Sequence, residues 1–209
     1  MTPASTQNDW SIVPTLAGEH ARLLPLRHEH APALAEAASD GELWRLWYTS
    51  VPKPEAMAAH LDAALAAQAQ GRELPFVVTD ATGTVVGSTR YCNLDHVNRR
   101  LEIGYTWYAG RVQRTAVNTE AKLLLLAHAF ETMGCIAVEF RTHWFNQASR
   151  AAIARLGAKQ DGVLRNHQRL ADGSYRDTVV FSIIESEWPA VKRNLQFKLE
   201  CHSNRGALP

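Results

Sequence analysis

The chain has 209 residues, with 22 basic and 21 acidic side chains and a formal net charge of +1. That length suits one domain of roughly 100–200 residues with short tails, long enough to bury a core without disulfide or metal staples. Hydrophobic residues at 46% and charged residues at 21% exclude wholesale disorder, and the balanced charge argues against a dedicated nucleic-acid binder, which needs a basic face.

Residues 1–18 read as a polar N-terminal extension punctuated by Pro3, Pro14 and Gly18. His20–Leu26 follows as a first strand, and Glu29–Ser39 as a helix with alanines and leucines at helical spacing. Glu42–Tyr48 is predicted to be a short aromatic helix closed by Pro52 and Pro54. Glu55–Gln70 is a second amphipathic helix. The period then changes. Residues 74–80, 84–93 and 101–108 read as three strands, the first two joined by a hairpin turn at Asp80–Gly83. Val117–Met133 carries four consecutive leucines, Leu123–Leu126; a helix apolar on nearly every face is buried, here against a sheet.

Residues 135–144 form the next strand. Residues 146–157 form the next helix, with Asn146 as N-cap and Gly157 as its stop. Strands at Ala158–Leu170 and Tyr175–Ile183 are joined by an Ala-Asp-Gly turn. An amphipathic stretch from Glu185 to Leu199 leads to a polar tail at 200–209, which leaves one domain at 19–199. Strand, helix, strand in the middle implies one parallel crossover, and the hairpins imply antiparallel pairing elsewhere. The fold class is therefore mixed α/β, and the order is not that of a dinucleotide-binding sheet.

Cys92, Cys135 and Cys201 include no CxxC pair, so neither a zinc ribbon nor a dithiol site is expected. Cys92 and Cys135 sit in apolar runs as core residues. No secretory leader and no apolar run of ~18 residues are present. A reducing cytoplasm is the expected compartment, with no membrane contact. His28-x-His30 lacks a third ligand, and no metal is expected.

Chemistry concentrates at two strand-to-helix junctions. In Gly104–Glu131 a strand runs into a loop that opens a buried helix, whose free N–H groups and dipole favour an anion. Arg111 and Arg114 add charge there; an ordinary connection with solvated arginines fits the same residues. In the second, Asn146 and Ser149 stand one helical turn apart at the start of the next helix. Capping by Asn146 with a surface serine is the plainer alternative. If the two strands run parallel, both helix starts open on one edge of the sheet.

These residues resemble the GCN5-related N-acetyltransferase (GNAT) family, in the branch of the bacterial ribosomal-protein N-terminal acetyltransferases. The resemblance spans about Leu16–Pro189. It rests on Asn146, Ser149, Leu156 and Gly157, on the closing strand pair from Gly162 to Trp188, and on the loop Gln113–Asn118 in the place of the family's diphosphate loop. Ala116 and Asn118 stand where that loop carries glycines. The resemblance implies a sheet of about seven strands, mostly antiparallel, splayed between the fourth and fifth, with acetyl-CoA in the split. The pantetheine arm would pair with Thr106, Trp107 and Tyr108. The diphosphate would rest on Arg114, Thr115, Ala116, Val117, Asn118 and Thr119. Asn146 would hold the pantetheine, and Ser149 would protonate the leaving thiolate.

The implied activity is acetyl transfer to a primary amine of a small molecule or a protein N-terminus. The family's glutamate base is replaced by Gln168, which takes no proton. Glu102 is the substitute, with His167 or a water relay as alternatives, and His143 is read as structural. Trp44, Trp47 and Tyr48 either line an acceptor pocket or pack a short helix. A non-catalytic acyl-CoA-binding module and a ribosome-associated subunit are the rival readings, and a homodimer is left open.

Overall fold

Alternation and capping account for most of the architecture. In the computed structural model, residues 10–206 are described, with side chains through Ser203. Residues 1–9 of the expected extension and 207–209 of the tail lie outside the described residues. Eight strands form one sheet in the order β1-β2-β3-β4-β5-β6-β8-β7. They are β1 (Leu16–Ala17), β2 (Ala21–Pro25), β3 (Leu74–Asp80), β4 (Val85–Asp95), β5 (Arg100–Tyr108), β6 (Ala137–His143), β7 (Lys159–Arg169) and β8 (Tyr175–Ile184). Only β5 and β6 pair in parallel; the other neighbours are antiparallel.

The count exceeds the expected seven by one. β1 is a two-residue edge strand, Leu16 opposite Leu23 and Ala17 opposite Arg22, too short for any periodicity to show. Further upstream, Trp10 and Val13 are buried in the core.

The helices are α1 (Ala31–Ser39), α2 (Met57–Ala69), α3 (Ala116–Ala127), α4 (Gln147–Leu156) and α5 (Trp188–Gly206). On α2, Met57, Leu61, Ala64 and Ala67 are buried, one face at helical spacing. α3 buries Ala121, Leu125 and Leu126 fully. It is shorter than predicted, because a π-helical turn takes over at His128–Thr132. The predicted aromatic helix shrinks to a 3-10 turn at Leu43–Arg45, preceded by Gly41 and Glu42 at φ 96° and 45°. Two left-handed residues in succession forbid a helical entry there. The last helix runs past Leu199 to Gly206. Cys92 and Cys135 are buried free thiols, as the apolar runs require.

A tie unseen in the sequence holds the N-terminal arm. Glu120 of α3 is buried and accepts from the backbone N–H groups of Glu19, His20 and Ala21 at 3.0, 2.5 and 2.6 Å. One carboxylate thereby satisfies three donors where β2 begins. A second tie joins the end of α1 to the loop after β5. The Asp40 carbonyl accepts from Gly110 N at 2.8 Å, and its carboxylate accepts from both Arg111 N and the Arg111 guanidinium at 3.1 Å.

Candidate active site

The ladder between β5 and β6 covers only Arg100–Ala137, Leu101–Val138 and Glu102–Glu139. Beyond it the strands part, β5 running on to Tyr108 and β6 to His143. The gap presents two facing backbone edges, and an extended ligand can satisfy such edges as an added strand. A bulge makes β5 irregular at this point. Ser88 pairs with Trp107 and Arg90 with Gly104, so Tyr105 and Thr106 together face Thr89. Tyr105 is held at φ 51°, a left-handed conformation that costs an L-residue about 1–2 kcal/mol.

Beneath the bulge, the buried Lys122 of α3 donates to Thr106 Oγ1 at 2.7 Å, and Thr89 Oγ1 lies 2.7 Å from the same oxygen. Burial pushes the Lys122 ammonium down to about 7. Thr106 therefore turns its side chain to α3. Trp107 and Tyr108 are core residues whose indole N–H and hydroxyl are buried without a hydrogen-bond partner.

Both helix starts open at the same end of the gap, because β5 and β6 are parallel. Arg114, at φ 63°, turns the chain into Thr115, whose hydroxyl caps α3 by accepting from Val117 N at 3.3 Å. The N–H groups of Ala116 and Asn118 also precede the first i→i−4 bond. Thr119 is half-buried and Arg114 exposed. The Arg111 guanidinium is held by Asp40 and the Val85 carbonyl. It serves as a loop anchor, which corrects its reading as diphosphate charge. At α4, Asn146 Oδ1 caps the helix by accepting from Ser149 N at 3.0 Å. That is the plainer alternative for Asn146. The Ser149 side chain is half-buried, and its hydroxyl has no hydrogen bond among the described residues.

Where the strands begin to part, a cavity of about 390 Å³ opens, its lining including Glu73, Cys92, Glu102, Tyr105, Gln168 and Arg176. Glu102 is 8% exposed, accepts from Asn93 Nδ2 at 2.7 Å and lies 3.5 Å from Arg141 Nε. Burial raises its pKa, while the bond from Asn93 and the Arg141 charge oppose the rise. A Cβ at residue 104 would sit 3.1 Å from Glu102 Oε1 and 2.9 Å from Cys92 Sγ, so Gly104 leaves room for the carboxylate. His167 also lines the cavity, its Nδ1 3.1 Å from Thr178 Oγ1.

The aromatic trio divides. Trp47 and Tyr48 gather on His143, with ring centroids 4.9 and 6.2 Å away, and Trp47 also meets Phe145. Trp44 packs half-buried against the core. None of the three is among the residues lining the cavity, although Ser50, two residues on from Tyr48, is. His143 Nδ1 accepts from Phe145 N at 3.1 Å, and its Nε2 is buried and unpartnered. Burial, then the Arg176 charge, lowers its pKa. Among the described residues no group of three metal-ligating side chains occurs. His28 faces Asp62, and His30 Nδ1 accepts from Arg27 N.

Residues 20–159 match the acetyltransferase (GNAT) domain family. The chain belongs to that family. The Bacillus subtilis (strain 168) protein named "Putative ribosomal N-acetyltransferase YdaF" is 33% identical over 110 residues, 53% of this chain and 59% of its own length. The match thus spans less than two thirds of that relative. A GCN5-related N-acetyltransferase from Brucella melitensis has the same fold, with a TM-score of 0.81 and 30% identity over 90% of this chain and 86% of its own. Mycobacterium smegmatis RimJ, solved in complex with CoA-disulfide, shares the fold at a TM-score of 0.76 and 22% identity, over 90% of this chain and 96% of its own. The split sheet of this GNAT chain is the fold shared with these structures. No helix among the described residues is long and apolar enough to cross a membrane.

The sequence did not reveal Tyr105, Glu73, Arg176 or Thr178 as cavity residues. Arg176 and Thr178 alternate onto one face of β8, a signal present in the sequence. What that face meets depends on β8 pairing with β6, which no local pattern states.

Proposed function

We propose that this GNAT protein transfers the acetyl group of acetyl-CoA to a primary amine by direct attack in a ternary complex. The carrying observation is the parted strand pair, with a buried carboxylate at its apex and two helix starts at its open end. The residues present fit the cofactor. The edge of β5 at Thr106–Tyr108, where the Tyr108 carbonyl accepts from Gln113 Nε2 at 3.1 Å and would have to be shared, suits the pantetheine amides. The donors of Ala116 and Asn118, with Arg114 beside them, suit a diphosphate, although neither residue is glycine. The amide nitrogen of Asn146 has no hydrogen bond among the described residues and suits a pantetheine carbonyl. RimJ, solved in complex with CoA-disulfide, and RimL, solved in complex with coenzyme A, share the fold and support this reading.

The thioester supplies the acetyl group, and the chain's residues manage the protons. An ammonium cannot attack, so Glu102 takes a proton from the amine, directly or through water. Its raised pKa makes it a stronger base than an exposed carboxylate. As the new N–C bond forms and the C–S bond breaks, the Ser149 hydroxyl hydrogen-bonds the departing sulfur and relays a proton to it, taking one in turn from water or the substrate nitrogen. A free thiol has a pKa of about 8.5, so a weak acid suffices. Gln168 lies in the same cavity and has no role as base.

A panel of amines, amino acids and N-terminal peptides, assayed for acetyl-CoA-dependent thiol release, tests the proposal. Release with at least one acceptor, matched by acetylated product, is the expected result. Tight acetyl-CoA binding with no release across the panel would leave a binding module, the reading that Ala116, Asn118 and Gln168 favour.

A further inference from the structure

The charges that line the acceptor cavity balance in number but are not all paired at short range. On the β3–β5 side stand two carboxylates, each with a cation of its own. Glu73 meets Arg90 at 2.7 Å, and Glu102 lies 3.5 Å from Arg141. Arg141 also binds Glu139 at 3.0 Å. Arg176, on the β8 side, is different. It is half-buried and lines the cavity, yet no carboxylate among the described residues lies within 4.0 Å of it. Its one hydrogen bond is from Nε to Thr178 Oγ1 at 3.0 Å.

That bond fixes the guanidinium and leaves its two terminal nitrogens unused. Thr178 is 1% exposed and also lies 3.1 Å from His167 Nδ1, so the arginine stem is held by a buried support. A planar fork with unused donors is the arrangement that binds an anion by two parallel hydrogen bonds. The Glu102 carboxylate opposes its charge from beyond ion-pair distance, so the fork keeps room for an anion in direct contact.

Resting on the acetyl-transfer reading, we infer that the acceptor is a small amino acid, its amine held at Glu102 and its carboxylate on the Arg176 fork. A protein N-terminus presents a neutral amide where a free amino acid presents a carboxylate. A neutral carbonyl would give the fork no ionic partner in direct contact. The cavity of about 390 Å³ lies within the usual 300–1,000 Å³ of small-molecule pockets.

Three acceptor series decide the matter at saturating acetyl-CoA: free amino acids, their carboxamides with matched side chains, and aminophosphonates, with short peptides alongside. For the preferred side chain, the amino acid is expected to exceed its carboxamide at least about tenfold in kcat/KM. Arg176→Gln should erase that preference through KM while leaving the Kd for acetyl-CoA unchanged. Arg176→Lys should restore part of it. Equal or better turnover of carboxamides or peptides overturns the inference, and so does a preference that survives in Arg176→Gln. Stronger use of the phosphonates keeps the anion site and overturns the carboxylate.

Ligand-induced shifts in melting temperature with amino acids against carboxamides, with and without CoA, give a readout that needs no turnover. Loss of acetyl-CoA binding by calorimetry would strike the transfer reading, while a selective shift with amino acids would still support the Arg176 site.

Discussion

The open end of the split is built from main chain, and its apex from side chains. At the open end, Ala116 and Asn118 contribute N–H groups that almost any residue supplies. The proposed cofactor site there would keep its donors although the family's glycines are absent. At the apex, the proposed base Glu102 is a carboxylate that Asn93 and Arg141 hold and for which Gly104 leaves room, and a single atom exchange would remove its chemistry. A backbone site drifts freely in sequence; a side-chain site carries the specificity.

Breaking the apex should have the largest effect. Glu102→Gln keeps shape but abolishes proton acceptance, and turnover should fall about 10²–10⁴-fold with acetyl-CoA affinity unchanged. Steady-state rates across the pH range in which the amine titrates, with calorimetry for the cofactor, check both halves. A variant within threefold or so of wild type removes Glu102 from the mechanism.

The matching break at the open end is Asn118→Pro. The N–H of residue 118 precedes the first intrahelical bond, so proline there removes a donor at small cost to α3. A hydrogen bond to a charged group contributes about 1.5–3 kcal/mol. The Kd for acetyl-CoA should rise at least about tenfold by calorimetry, with Asn118→Gly neutral or better. An unchanged Kd places the diphosphate elsewhere.

Ser149 lies on the boundary and sharpens the contrast. Its hydroxyl is free, so Ser149→Ala should lower the saturating rate by about tenfold at most, with melting temperature and cofactor affinity intact, because water competes as the acid. A stability loss with a normal rate would make Ser149 structural.

The smallest effect belongs to Lys122, which supports the bulge from below. Burial depresses its pKa from 10.5 to about 7. Above pH 10.5 it is neutral in both states. As pH falls toward 7 the unfolded chain gains a proton that the folded protein does not, so this group makes wild type less stable on the way down. Lys122→Met should flatten that part of the profile and stabilise the fold at pH 7 by about 1 kcal/mol. Urea titrations at pH 7 and 10 decide it. A pH dependence identical to wild type would mean that Lys122 stays charged.

The fold was largely legible because its signals are local. Short apolar runs bounded by turns placed β3 and β5, Asn146 and Gly157 bounded α4, and four leucines marked α3 as buried. β1 was missed because two residues carry no period, and the turn at Leu43–Arg45 because aromatic residues suggested a helix that left-handed Gly41 and Glu42 forbid. In the site, Asn146 and Glu102 stood out by position along the chain. Arg176 and Glu73 did not, since they meet only through the pairing of β8 with β6 and of β3 with β4. Arg111 was misread because Asp40, its partner, lies 71 residues away.

The Asp40 tie also has a consequence for handling the protein. The segment that carries Trp47, Tyr48 and Ser50 to the acceptor side leaves α1 directly after Asp40, and the loop leading to the cofactor helix is fastened to the same residue. Fastening of this kind lets one surface act as a gauge for another. Trypsin has a site in the exposed turn at Arg45. Acetyl-CoA bound at the start of α3 should slow cleavage at Arg45, and Asp40→Ala should sever the link. A gel would then read cofactor occupancy from the opposite side of the active site.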